Sequence, residues 1–287
     1  MSGLVSVCAA QIAPQLGDAT SNARLVEAEL EGAANEGATL TVFPEAALTG
    51  YVFDSFEEGL DFAVRTDGPE VSALAGAAER LATYAVVGAI ERDGDALFNS
   101  AFLFGPEGLI GRYRKVHTLC LGADRFTRPG AEGFKVFPLP FGTIGLHICY
   151  DGTFPESARA LRLEGAQLLI LPTNWPRLDM KREMIRVRAY ENRAFYLAVN
   201  RVGEERSVVF EGGSAAADPE GRVVLEAGDA SGRFHCEIDL ARVEQSREIV
   251  KPGDYELDLI DDRQPQLYGA ITRERPTARP TGSQQSR

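Results

Sequence analysis

The segment TIGLHICYDGTFPESARALRLEGAQLLIL, residues 143–171, contains a complete strand–helix–strand pattern. Its apolar start predicts a buried strand over Thr143–Cys149, and Pro155 stands where a helix reaching Glu164 would begin. A second apolar run, Gln167–Leu171, predicts another strand. Two strands joined by a crossover helix pair in parallel, so this segment indicates an α/β fold.

The same alternation runs through the rest of the chain. Further strands are predicted at Leu4–Ile12, Ala38–Phe43, Tyr84–Ile90, Ala96–Phe104, Leu109–Tyr113, Phe195–Asn200, Ser207–Ala217, Arg222–Leu225 and Arg233–Ile238, and further helices after Asp18 or Thr20, over Pro69–Thr83 and over Arg177–Arg193. No clean linker or short-period repeat interrupts the pattern. We therefore predict one α/β domain with a mixed sheet system over residues 1–271. The polar, proline-containing residues 272–287 predict a flexible tail.

Composition excludes several kinds of partner. The 287 residues carry a formal net charge of −12, and a phosphate backbone would be repelled by that charge, so we predict no nucleic-acid partner. No apolar run is long enough to cross a membrane, and the N-terminus lacks the basic region of a signal peptide. The four cysteines are too scattered for a disulfide framework, which predicts reduced thiols and a cytoplasmic protein.

Three reactive side chains stand where a predicted strand ends. Glu45 closes TVFPE (41–45), Lys115 closes YRK (113–115), and Cys149 closes IGLHIC (144–149). Because sites in open α/β sheets gather at the carboxyl ends of strands, we expect the carboxylate, the ammonium and the thiol to converge. Cys149 also precedes the helix start at Pro155, and amide groups at a helix N-terminus favour a thiolate.

Five segments resemble the nitrilase, or carbon–nitrogen hydrolase, superfamily. FPEAALTGY (43–51), YRKVH (113–117) and ICYDGTFPES (148–157) are similar to its three motifs, and GAQLLILPTNWP (165–176) and RVRAYENRAFYLAVN (186–200) to supporting segments. The resemblance implies a four-layer α-β-β-α sandwich with mixed sheets and a homodimer or larger homo-oligomer. It also implies a thiol amidohydrolase in which Glu45 is the general base, Lys115 its electrostatic partner and Cys149 the nucleophile. This chemistry needs no metal or other cofactor.

The sequence departs from the family pattern at two places. Many members carry a second glutamate after the lysine, but residues 116–130 contain none, and Asp124 is the nearest carboxylate that could replace it. Tyr150 and Asp151 follow the nucleophile where true nitrilases usually have Trp-Glu, which favours a small amide or N-carbamoyl substrate over a nitrile. The backbone N–H of Tyr150 is predicted to hold the oxyanion together with Lys115.

Other side chains are candidates for the walls of a substrate pocket. Asn174 and Trp175 follow a strand end, and Tyr51 follows Glu45; each is predicted to contact substrate, with ordinary packing as the open alternative.

Three rival interpretations remain open on the sequence. His147 and Cys149 alternate by two and so share one side of a strand, as a Cys–His hydrolase would need. His117, Cys120, His147 and Cys149 are a conceivable metal-ligand set, although zinc sites usually have tighter paired spacings. The third interpretation is a non-catalytic scaffold that keeps the fold.

Overall fold

The structure is a computed structural model, and it describes residues 4–274 except Ser246. The chain divides into two compact units, Met1–Ser246 and Arg247–Arg287. The single domain expected over residues 1–271 therefore stays a prediction. The expected tail lies outside the described residues from residue 275 onward.

The first unit contains five helices and fourteen strands among its described residues. In chain order they are β1 (Leu4–Gln11), α1 (Ala19–Asn35), β2 (Leu40–Val42), α2 (Phe56–Phe62), α3 (Pro69–Leu81), β3 (Tyr84–Asp93), β4 (Ala96–Gly105), β5 (Gly108–Arg114), β6 (Lys135–Leu139), β7 (Gly142–Leu146), α4 (Pro155–Leu163), β8 (Leu168–Thr173), α5 (Lys181–Asn192), β9 (Phe195–Asn200), β10 (Val202–Glu205), β11 (Val208–Glu211), β12 (Ala215–Ala217), β13 (Val223–Glu226) and β14 (Gly232–Asp239). Short 3₁₀ turns cover Gly122–Arg125, Cys149–Thr153 and Leu240–Gln245. The second unit has an antiparallel hairpin of β15 (Glu248–Lys251) and β16 (Tyr255–Leu257), followed by one 3₁₀ turn.

Two six-stranded sheets of the first unit share one plan. The first has the order β14-β1-β2-β3-β4-β5, and the second has the order β13-β12-β9-β8-β7-β6. In each sheet three parallel strands, β1-β2-β3 or β7-β8-β9, are flanked by antiparallel strands. The predicted mixed sheets are thus present, and the parallel strands require the crossover helices.

Alternating residues of β1 show how the layers stack. Val5 and Val7 belong to the same buried cluster as Ile144 and Leu146 of the second sheet, whereas Ala10 belongs to a cluster with buried residues of α1 and α3. One face of the first sheet therefore packs on the other sheet, and its opposite face packs on helices. Helices α4 and α5 contribute Leu161, Ile185 and Ala189 to the second sheet's side. The result is the predicted α-β-β-α sandwich.

The structure differs from the expected elements at several boundaries. The strand predicted to end at Cys149 ends at Leu146, and α5 begins at Lys181 rather than Arg177. Strand β6 and helix α2 were not anticipated, because β6 contains Pro138 and α2 is only seven residues long. Proline is tolerated in β6 because this strand lies at the edge of its sheet. No helix among the described residues is long and apolar enough to cross a membrane.

Candidate active site

Glu45 lies on a tight bend that directly follows β2. Ala46 next to it has a φ of 51°, and a side-chain carbon on Gly88 of β3 would lie 2.7 Å from the Glu45 Cα atom, so the strand packs directly against this bend. The Glu45 side chain is fully buried. Asn99 of β4 donates from Nδ2 to Oε1 of Glu45 at 2.7 Å. The neighbouring strand therefore fixes one carboxylate oxygen.

Lys115 is the first residue after β5, and its side chain is also fully buried. Its Nζ atom lies 2.7 Å from Oε1 of Glu45 and 2.7 Å from Oδ2 of Asp124. Asn99 closes the ring by donating to Oδ1 of Asp124 at 2.8 Å. The structure thus joins Lys115 and Asp124 to Glu45, which lies 70 residues before Lys115, in one buried network.

The charges in this network are set by burial and by the lysine. Burial raises the pKa of Glu45, and Asp124 adds to this effect against the opposing charge of Lys115. Burial alone would lower the pKa of Lys115, but Glu45 and Asp124 raise it well above its ordinary value. Lys115 is therefore an ammonium ion. Oε2 of Glu45 is buried and has no hydrogen-bond partner among the described residues.

Cys149 opens the 3₁₀ turn that follows β7, with a φ of 46°. Its thiol lies close enough to Glu45 and Lys115 for both charges to act on it. Burial and then the charge of Glu45 raise the pKa of Cys149 to about 12, against the lowering effects of Lys115 and of hydrogen bonds with Thr173 and Asn174. Desolvation therefore outweighs the amide groups of the turn, which favour the thiolate. The resting group is a neutral thiol.

Asp151, two residues after Cys149, connects the 3₁₀ turn Cys149–Thr153 to the end of β5. Its Oδ2 accepts hydrogen bonds from the Tyr113 hydroxyl at 2.7 Å and from the Ile148 N–H at 3.0 Å. Its Oδ1 accepts the His117 N–H at 2.9 Å and lies 2.7 Å from His117 Nδ1. Burial would raise the pKa of Asp151, but the hydrogen bonds from His117, Tyr113 and Ile148 lower it. A buried carboxylate thus bridges Tyr113 and His117, which stand two residues before and two residues after Lys115.

The residues predicted to contact substrate differ in burial and in their hydrogen-bond partners. Asn174 is buried, and neither atom of its side-chain amide has a partner in the described part of the chain. Trp175 is buried, and its backbone N–H donates to Asn200 Oδ1 at 2.8 Å. Tyr150 is partly exposed beside Phe154. The Tyr51 hydroxyl donates to the Leu121 carbonyl at 3.1 Å. Substrate contact by these residues stays a prediction.

The surroundings of His147 disfavour the Cys–His interpretation. His147 is fully buried, and its Nδ1 lies 3.0 Å from the Ser157 hydroxyl. Burial lowers the pKa of His147 to about 4, so the ring is neutral near pH 7. Among the described residues, no group of three or more His, Cys, Asp or Glu side chains could hold a metal ion.

Sequence reasoning missed two features of this site. Asn99 was not singled out, although it is a polar residue within the apolar run ALFNSAFLFG, residues 96–105. Arg201 and Glu205 form a buried ion pair beside residues 45–55, the Glu45 loop, and no family motif pointed to them. A polar side chain in an otherwise apolar strand was the available signal for Asn99.

Comparisons with known proteins identify the family. Residues 5–248 match the family described as carbon-nitrogen hydrolase. A nitrilase of Pyrococcus abyssi is 39% identical over 85% of this chain and 93% of its own. An (R)-stereoselective amidase of a Pseudomonas species is 36% identical over 81% of this chain and 82% of its own. A solved carbon–nitrogen hydrolase of Helicobacter pylori shares the fold, with a TM-score of 0.83 and 22% identity over 95% of this chain and 99% of that one.

The fold and the comparisons together define a hydrolase built on an α-β-β-α sandwich. The chain belongs to the carbon–nitrogen hydrolase family, and it is an enzyme that hydrolyses carbon–nitrogen bonds.

Proposed function

We propose that this enzyme is a thiol amidohydrolase that cleaves a small amide or N-carbamoyl compound and releases ammonia. The observation that carries the proposal is the hydrogen bonding of Glu45. One carboxylate oxygen is held by Lys115 and Asn99, while the other is buried and has no described partner. Glu45 is therefore fixed in place and still able to take a proton, close to a neutral thiol that must lose one.

The first half-reaction forms a thioester. The Cys149 sulfur attacks the substrate carbonyl carbon while Glu45 takes the thiol proton, because the thiol is neutral before attack. The oxyanion receives hydrogen bonds from the Tyr150 N–H and from Lys115. A lysine ammonium has three N–H donors, and Glu45 and Asp124 occupy two of them, so the third is available to the oxyanion. Glu45 then gives its proton to the departing nitrogen as the carbon–nitrogen bond breaks.

The second half-reaction restores the enzyme. Glu45 takes a proton from a water molecule, whose oxygen attacks the thioester carbon. The carbon–sulfur bond breaks, the acid product leaves, and the proton returns to the Cys149 sulfur. Net consumption is one water per amide bond.

Nitrile hydrolysis is the second candidate activity. The Pyrococcus abyssi relative, at 39% identity, is called a nitrilase, and a thiol nucleophile can attack a nitrile carbon as well as a carbonyl carbon. The amidase proposal is supported by Tyr150-Asp151 after the nucleophile and by the amidase among the relatives.

An ammonia-release screen over aliphatic amides, ω-amides, N-carbamoyl amino acids and nitriles separates these activities. Turnover of at least one amide or N-carbamoyl compound, lost in Cys149→Ala, is expected. Intact-protein mass spectrometry of quenched reactions should then show an acyl group on wild type and none on the variant. Turnover of nitriles alone would replace the amidase proposal with the nitrilase one. No turnover of any compound, with the fold intact, would favour the non-catalytic scaffold.

Two further properties belong to this proposal. We infer a cytoplasmic enzyme from the scattered cysteines, which are all free in the structure. We also infer a homodimer or larger homo-oligomer from the family resemblance. Light scattering during gel filtration checks the second point, and a monomeric mass would contradict it.

A further inference from the structure

Arg201 and Glu205 form an ion pair that is enclosed by protein. Their side chains are 1% and 3% exposed. Arg201 also donates from Nη2 to the Pro14 carbonyl at 3.0 Å, and its guanidinium lies 4.5 Å from the centre of the Phe210 ring. Removing two charges from water costs free energy that their attraction only roughly returns. A gain in stability is therefore a weak explanation for this pair, and its other contacts point to a different one.

The second oxygen of Glu205 binds the backbone of the Glu45 loop. Oε1 accepts the Tyr51 N–H at 2.7 Å and also the Val52 N–H. Gly50 just before them has a φ of +72°, and a side-chain carbon there would lie 2.7 Å from the Leu16 Cα atom. The turn at Gly50 is therefore packed tightly, and the Glu205 carboxylate satisfies the two amide groups that follow it.

Tyr51 in turn holds the 3₁₀ turn that carries Asp124. Its carbonyl accepts the Ala123 N–H at 2.6 Å, and its hydroxyl donates to the Leu121 carbonyl at 3.1 Å. A side-chain carbon on Gly122, which lies between these two residues, would be 2.5 Å from the Tyr51 ring. Tyr51 thus holds this turn through its backbone carbonyl, its hydroxyl group and the packing of its ring.

Asp124 lies in the turn that Tyr51 contacts. The described segment between Lys115 and the start of β6 contains one regular element, the 3₁₀ turn Gly122–Arg125. Asp124 lies in this turn and contacts both Lys115 and Asn99. We propose that the buried Arg201–Glu205 pair, acting through Tyr51, positions Asp124 against the ammonium group of Lys115. Glu205 and Tyr51 are then positioning residues for the reaction of Cys149, and this inference rests on the proposed function.

A double-mutant cycle with Asp124→Asn tests the proposal, because residues that act through one another are not additive. Glu205→Gln should lower kcat at least about tenfold in the wild-type background, since small displacements of catalytic groups are costly. Tyr51→Phe, which loses only the bond to Leu121, should lower it about threefold to tenfold. In the Asp124→Asn background each should cost less than about twofold. Full additivity in both cycles would overturn the proposal, and the Tyr51 cycle decides alone if Glu205→Gln does not fold.

Arg206→Gln is the matched control. Arg206 also ties the β10–β11 hairpin to the segment after Glu45, through Asp54 and Glu58, but on the surface and without contacting Tyr51. Its kcat should stay within about twofold of wild type, because exposed ion pairs contribute little. An equal loss in Arg206→Gln and Glu205→Gln would mean that any loosening of the hairpin harms the enzyme, which contradicts a specific role of the buried pair.

A pH profile separates positioning from general loosening. Asp124 raises the pKa of Glu45. Moving the Asp124 carboxylate away from Glu45 should therefore shift the acid limb of the kcat/KM profile to lower pH. Four other groups act on or contact Glu45, namely Lys115, Asn99, Cys149 and Arg201. The substitution Tyr51→Phe changes the charge of none of them. Tyr51→Phe should therefore shift this limb in the same direction as Asp124→Asn, and by less. An unshifted limb would contradict the proposal.

Failure of the proposed function can be told apart from failure of this inference. If wild type turns over no amide, the same cycles are measured on the rate at which iodoacetamide alkylates Cys149. Peptide mass spectrometry separates this reaction from alkylation of Cys120, which is exposed. Non-additive labelling rates would then support the positioning role without any turnover, and additive rates would refute it.

Discussion

At the scale of single residues, Glu45 has two carboxylate oxygens with different surroundings. Glu45→Gln keeps an oxygen that can accept from Lys115 and Asn99 but cannot take a proton, in either half-reaction. We expect kcat to fall by about 10³-fold, within the range for a lost general base. Ammonia release measures this, with circular dichroism to show that the fold is kept. Activity above a tenth of wild type would contradict the assignment of Glu45 as the base.

Two buried tyrosines provide a matched test of the Asp151 bridge. The Tyr113 hydroxyl donates to the ionised Asp151 carboxylate at 2.7 Å, whereas the Tyr196 hydroxyl is buried without a partner among the residues that the structure describes. Tyr113→Phe should lower the free energy of unfolding by about 2 kcal/mol, as expected for a hydrogen bond to a charged group. Tyr196→Phe should change it by less than about 0.5 kcal/mol or raise it. Urea denaturation compares the two, and equal losses would contradict a special role for the bridge.

The residues of the site could be predicted from sequence to different degrees. Glu45, Lys115 and Cys149 each follow a strand end inside a family motif, and Asp124 was the nearest carboxylate in a loop without glutamate, so local pattern sufficed to select them. Their roles stay predictions. Arg201 and Glu205 could not be selected, because the pair reaches the site through the contact of Glu205 with Tyr51, about 150 residues away in the chain.

At the scale of elements, strand β3 determines where the Glu45 bend lies. A side-chain carbon on Gly88 would come within 2.4 Å of the Pro44 carbonyl and 2.6 Å of the Ala46 nitrogen, and both are backbone atoms that cannot swing aside. Gly88→Ala should therefore displace Glu45 and lower kcat more than about tenfold. Steady-state kinetics checks this, and an unchanged kcat would show that the bend adapts.

Gly76 of helix α3 is the matched control for that substitution. It is exposed, it has no described atom within 4 Å of the added carbon, and alanine favours helix over glycine. Gly76→Ala should raise the free energy of unfolding by about 0.5–1 kcal/mol and leave kcat unchanged.

The elements themselves were largely predictable because their apolar patterns are strong. The three parallel strands of each sheet and their crossover helices follow from periodicity, since a buried strand and an amphipathic helix have distinct repeats. The edge strand β6 and the seven-residue α2 were missed, because a proline and a short length remove that signal. Periodicity also cannot count sheets. The division into two sheets was expected only from the family resemblance, since it depends on contacts between residues far apart in sequence.

At the scale of the whole molecule, His147 makes the fold sensitive to acid. Burial lowers the pKa of His147 from its ordinary 6.5 to about 4. Between these two values the unfolded chain binds a proton that the folded chain does not bind, so the free energy of unfolding falls as the pH drops from 6.5 to 4. By this linkage the loss at pH 5 is about 2 kcal/mol relative to pH 7. Burial of neutral His147 thus weakens the fold below pH 6.5 and has no such pH-dependent effect well above it.

His147→Asn tests this sensitivity and the Cys–His interpretation together. The asparagine amide can still donate to the Ser157 hydroxyl, but it does not titrate, so the variant should lose about 2 kcal/mol less than wild type between pH 7 and pH 5 in urea denaturation. Any cavity left by the smaller side chain lowers stability at both pH values and cancels in this difference. Its kcat at pH 7 should stay within about threefold of wild type, because His147 hydrogen-bonds to Ser157. Equal acid losses would contradict the linkage, and an inactive, folded variant would restore the Cys–His mechanism.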